Sequence, residues 1–269
     1  MSPSAFRAAI VLVAASTAAW PATKILVTVV EQRSGRPIVD LKAEEFRVLD
    51  DRTPRRVTAV EYSSQPIDVM LLVDSSLVGA AVQPVAADLI AKLAGKEQMA
   101  LVAFDSSADL LQDFTASQDV LRQALGRVRY GNTPRILDAV YAAADGGFQA
   151  STFRRVMVLL TTGLEGPSRI GERDVVRLAR KNGISIYPVY MVGSERSLLE
   201  ALARQTGGAT FNLRDLSRQG KAGSPGEAIF PVLRAHYTLT LDTNLALGDK
   251  VKVEVLRTQK MFASALPLD

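Results

Sequence analysis

The side chains in this chain that could do chemistry are few, and most of them are oxygen bearers. Asp74-Ser75-Ser76-Leu77-Val78 closes one strongly apolar run, Thr161-Thr162-Gly163 closes another, and Gly131-Asn132-Thr133 opens a helical pattern between the two. Where apolar strands alternate with helices, ligands gather at the carboxyl ends of strands, near the point where strand order reverses. The chemistry on offer is therefore ligand capture through oxygens. Other chemistries are excluded by count: there are no cysteines and one histidine, His236. Thiolate zinc sites, cysteine nucleophiles, disulfides and multi-histidine metal centres all fall away. No G-x-G-x-x-G or G-x-x-x-x-G-K-[ST] cradle follows a strand. His236 has no G-x-S-x-G partner and reads as structural.

The elements that must position these oxygens are legible as a change of character along the chain. Lys24–Glu31 is rich in β-branched residues and reads as a strand, Ser34–Pro37 as a turn, and 40–46 as a helical turn capped by Asp40. Short strands at 47–49 and 55–62 flank a turn at 50–54. The runs at 69–73, 100–104, 156–160 and 184–186 are almost continuously apolar, as strands buried on both faces must be. Pro188 falls inside the last of these strands, where it removes a ladder donor. Helical spacing marks 82–93, 120–128, 136–144, 175–179 and 197–204, the fourth ended by Asn182-Gly183 and the fifth by Gly207-Gly208. This predicts a doubly wound, mostly parallel α/β sheet. Residues 217–227 read as a flexible connector. Tyr237–Leu241 and Val251–Leu256 alternate like half-buried strands, so both chain ends are expected to build one small β subdomain.

With these elements in place, the chain resembles a von Willebrand factor type A (VWA) domain. The resemblance is carried by IDVMLLVDSS, by MALVAFD at Met99–Asp105, by the GNT loop with Leu137-Asp138-Ala139, and by VMVLLTTG. Upstream, VVEQRSGRPIVDLKAEEFRVLDD is similar to the N-terminal segment of secreted bacterial VWFA-related proteins. The family implies a metal-ion-dependent adhesion site: an Asp-x-Ser-x-Ser motif, a loop threonine and an aspartate after the fourth strand. Asp74, Ser76 and Thr133 match that pattern. Val78 replaces the second serine and Thr162 the distal aspartate, so one of two carboxylates is lost, and ligand charge sets affinity for a hard cation. The resemblance thus implies a vacant or weak magnesium site and no resident cofactor, with Glu165 a substitute carboxylate only if its loop turns inward.

The expected function is a non-enzymatic interaction module with a protein partner. Two alternatives stand beside it: a structural assembly subunit, and a haloacid-dehalogenase-like phosphatase, whose required acidic pair Tyr190-Met191-Val192-Gly193 does not supply. Hydrophobic residues make up 48% and the net charge is +4, with basic residues dispersed, so a core is assured and a nucleic-acid groove is not indicated. Arg7, the apolar Ala8–Ala19 segment and small residues near Ala22 form an export signal too short to span a bilayer, which needs about 20 apolar residues. The expected division is signal peptide 1–22, N-terminal β segment 23–65, VWA domain 66–213, linker with short helix 214–234 and C-terminal β segment 235–269. The mature protein is then secreted or periplasmic, with no membrane span.

Overall fold

The computed structural model describes residues 22–32, 34–218, 223–243, 247–248 and 251–268. The expected export segment, apart from Ala22, lies outside them. The chain begins with β1 (Lys24–Glu31), a 3-10 turn at Ala43–Glu45, β2 (Phe46–Asp50), β3 (Thr53–Arg55) and β4 (Val57–Ser64). The middle comprises β5 (Ile67–Asp74), α1 (Gln83–Ala91), β6 (Gln98–Phe104), β7 (Ala108–Thr115), α2 (Gln118–Leu125), α3 (Ile136–Gly146) and β8 (Arg154–Thr161). It continues with α4 (Glu172–Lys181), β9 (Ile184–Tyr190), α5 (Arg196–Gln205) and β10 (Phe211–Asn212). Last come α6 (Leu213–Arg218), α7 (Pro225–Arg234), β11 (Ala235–Leu241), β12 (Val251–Val255) and β13 (Met261–Leu268).

The middle elements form a six-stranded sheet in the order β10-β9-β8-β5-β6-β7, parallel except for β7. Every residue of β5 is buried, because helices cover both faces. Val69, Leu71 and Val73 pack toward α1, α2 and α7, while Met70 and Leu72 pack toward α3, α4 and α5. Each such side chain contributes about 2 kcal/mol of apolar burial, which is why these strands need no polar alternation. The chain leaves β5 toward β6 on one side and returns to β8 on the other. The order therefore reverses at β5, and Asp74 sits at that switch.

The two ends meet as expected: β13-β1-β11-β4 form one antiparallel sheet and β12-β2-β3 another. Ile25, Val27, Phe46, Val48, Tyr237 and Leu239 fill the space between them. The other face of β1 locks onto the middle unit, where Thr28 Oγ1 donates to the Gly207 carbonyl at 2.7 Å.

Several expectations need correction. Asp40 does not cap the first turn. The Glu45 carboxylate closes it by accepting from the Lys42 N–H, and Asp40 pairs with Arg257. Pro188 does lie within β9, as expected. The Ile186 N–H donates to Thr206 Oγ1, so the nitrogen two residues on faces the same side, where β10 pairs only Val189 and Tyr190. The missing donor is lost at a margin rather than inside the ladder. The connector is shorter than read, since Ser217 and Arg218 end α6 and Pro225–Glu227 begin α7.

Candidate functional site

Asp74 ends β5, one step past the Val73–Leu160 register pair, so its carboxylate emerges beside the last residue of β8. It is fully buried. Oδ2 accepts from the Thr162 N–H at 2.9 Å, the Thr162 hydroxyl at 2.7 Å and the Thr161 hydroxyl at 3.2 Å. Oδ1 accepts from the Ser76 N–H at 2.9 Å. The loops after β5 and β8 are thus tied together through one carboxylate. Two glycines permit close backbone contacts around these loops. A Cβ on Gly79 would lie 2.2 Å from the Asp74 carbonyl oxygen, and one on Gly163, whose φ is +92°, would lie 2.0 Å from that of Val192.

The third loop arrives by backbone bonds. The Gly131 N–H donates to the Ser75 carbonyl at 2.9 Å and the Leu77 N–H to that of Asn132 at 3.3 Å. Asn132 holds a left-handed φ of +54° and donates to Asp105 at 2.9 Å. Asp74 and Ser76 are therefore brought together as expected. Thr133 stands on the adjacent loop, exposed, with its methyl against Gly166. Glu165 does not serve as a rim carboxylate. Its oxygens accept from the first N–H groups of α3, Ile136 at 2.6 Å and Leu137 at 3.5 Å, and burial raises its pKa above the ordinary range. It satisfies donors that a helix start leaves open.

Three features were not read from the sequence. The Ser76 Oγ and the Tyr130 hydroxyl are both buried without a hydrogen-bond partner among the described residues. Tyr130 immediately precedes the GNT loop, and its phenol pKa is raised by burial and then by the Asp74 charge. The loops after β5 and β8 also carry exposed apolar side chains: Leu77 at 77%, Val78 at 51% and Leu164 at 42%. Nothing in local sequence marks an orphaned hydroxyl, but the Leu77-Val78 pair after a strand end was a visible signal.

As a shell for a hard cation this set is poor. It offers one carboxylate whose Oδ2 already meets three donors, a valine where an oxygen is needed, and a threonine that donates to Asp74 instead of adding charge. The Ser76 Oγ, two residues from the acid, has no partner among the described residues. Among the described residues no group of three or more acidic or histidine side chains converges. His236 lies in β11, with its pKa lowered to about 4 by burial and by Arg154. Its Nδ1 lies 3.3 Å from the Arg234 carbonyl oxygen.

The model for the von Willebrand factor type A domain matches residues 68–222. Among solved structures, proximal thread matrix protein 1 from the mussel byssus, with a zinc-occupied MIDAS motif, aligns at TM-score 0.54 and 16% identity over 68% of this chain and 50% of that one. A von Willebrand factor type A protein from Catenulispora acidiphila aligns at TM-score 0.50 and 14% identity, over 80% of this chain and 50% of its own. An aerotolerance-related membrane protein from Bacteroides fragilis aligns at 0.46 and 17%, over 57% and 94%. Identities this low speak to fold alone. No curated protein matches.

Proposed function

The chain belongs to the von Willebrand factor type A family, and on that premise we propose that it is a protein-interaction module, secreted or periplasmic, whose adhesion site takes no magnesium. Domains of this family mediate protein–protein contacts and are generally not enzymes. No helix among the described residues is long and apolar enough to cross a membrane. Support for export is the tripartite pattern of the first 22 residues, and intact mass tests it. The exported form should lack Trp20, the chain's one tryptophan, and a mass that retains Met1–Trp20 ends this part of the reading.

The observation that carries the metal-free reading is the Asp74 carboxylate, engaged by Thr161, Thr162 and Ser76. Magnesium dehydrates reluctantly and needs near-octahedral oxygens, so it would have to displace those donors with no second charge to assist. Calorimetry with millimolar magnesium should show no binding. The double substitution Val78→Ser with Thr162→Asp should build a site. It places a second carboxylate where the Thr162 hydroxyl now donates, lowering the melting temperature without the ion and raising it with magnesium. Clear binding by the unaltered chain overturns the reading.

A further inference from the structure

Resting on that reading of the site as a metal-free docking face, we propose that it captures the ammonium of a lysine side chain presented by a partner protein. The first argument is charge. Asp74 is fully buried, and the groups that meet its carboxylate are hydroxyl and amide dipoles. A buried carboxylate matched only by dipoles among the described residues favours an incoming positive group and opposes an incoming carboxylate.

The second argument is a count of acceptors. Asp74 Oδ1 accepts one bond, from the Ser76 N–H, and so retains capacity. Ser76 Oγ and the Tyr130 oxygen have no partner among the described residues. The Gly131–Ser75 and Leu77–Asn132 backbone bonds fasten the loop that follows Tyr130 to the loop that carries Ser76. An ammonium carries three donors and no acceptor, which suits a negative charge whose neighbours have acceptor capacity to spare. A dication would need the missing carboxylate, and a purely apolar group would leave both hydroxyls buried and unpaired, at a cost of about 1–3 kcal/mol each.

The third argument is the rim. Leu77, Val78 and Leu164 are exposed on the two loops that Asp74 ties together. A lysine stem lays its methylenes on apolar surface while its head reaches polar groups, so the rim suits the stem and the polar groups suit the head.

The test uses the full chain, labelled with nitrogen-15, and three four-carbon probes: n-butylammonium, butanoate and butan-1-ol. Butylammonium should shift the amides of Ser76, Leu77 and Thr162 saturably, and neither butanoate nor butanol should match it. Tyr130→Phe and Ser76→Ala remove hydroxyls that make no bond among the described residues, so both variants should fold, and each should weaken butylammonium by about tenfold. Equal binding of butanoate or butanol, full-strength binding by both variants, or no saturable shift overturns the proposal. Magnesium chloride in the same sample reads the underlying assignment separately. A saturable magnesium shift at these amides breaks the metal-free reading itself. Silence toward both ions removes the lysine proposal alone.

Discussion

The two ends of β5 carry the same device in different surroundings. Asp68 near its start and Asp74 at its finish are both buried aspartates. Asp68 Oδ2 accepts from the Thr152 N–H at 2.6 Å, the Phe153 N–H at 2.8 Å and the Ser151 hydroxyl at 3.0 Å, fastening the segment that leads into β8. Asp74 Oδ2 likewise gathers one N–H and two hydroxyls from the residues that end β8. At the first end the unpartnered atom is Asp68's own Oδ1, and the chain runs from there into β4 and the strands of both termini. At the second end the unpartnered atoms belong to neighbours, Ser76 and Tyr130, and the loops after β5 and β8 carry exposed apolar side chains. A buried aspartate with several donors is therefore a way of tying β5 to β8. It becomes a candidate site only where unused polar capacity and exposed surface coincide.

The largest effect should come from removing what covers the first end. Deletion of residues 236–269 takes away β11 and β13, the two strands that flank β1, together with Tyr237 and Leu239 from the core between the sheets. Residues 24–62 should then lose protection from proteolysis, with loss of the cooperative unfolding transition. Unchanged protection would mean that this end does not depend on the joined termini, and the contrast with the open end would lose its basis. Next in size are Asp68→Ala and Asp74→Ala. Each strands several buried donors, so each should cost about 4 kcal/mol in denaturant unfolding. Similar losses confirm the shared device, and a loss of under about 1 kcal/mol at either end breaks it.

How much of this was legible follows the same division. The strands that line Asp74 announced themselves because burial on both faces demands an unbroken apolar run, and the acid's position after Val73 followed directly. Tyr130 was missed because being unpartnered is a property of three loops meeting, not of any one of them. Glu165 reads as an exposed loop acid until α3 is known to point its first N–H groups at it. Among elements, β7 hides its edge position in the mixed pattern ADLLQDFT, and α7 carries Gly226 and Pro231, which locally argue for a loop. Tertiary packing overrode propensity in both.

A pH titration separates the ends further. His236 sits on β11, packed near Arg154 at the start of β8, and its pKa is lowered from 6.5 to about 4, first by burial and then by the arginine. The folded state therefore binds fewer protons than the unfolded chain between those values. Stability should fall as pH drops from 6.5 toward 4, by on the order of 2 kcal/mol, and His236→Gln should flatten that slope. A slope that persists in His236→Gln assigns the acid sensitivity to other groups and removes this distinction between the ends.

The smallest effect is the sharpest comparison, because it makes one substitution at both ends. Ser151 donates through its hydroxyl to Asp68 at 3.0 Å, so Ser151→Ala leaves that carboxylate with one fewer donor and should cost about 1 kcal/mol. Ser76 holds Asp74 through its backbone N–H, which alanine keeps, and its hydroxyl has no partner among the described residues. Ser76→Ala should therefore change stability by less than about 0.5 kcal/mol, or raise it slightly by removing an unsatisfied polar atom. Paired denaturant curves at one pH decide the matter. Equal costs would show that the Ser76 hydroxyl is already engaged in holding the fold. A hydroxyl so engaged is not available to a partner, and the polar groups around Asp74 would then be structural, like those around Asp68.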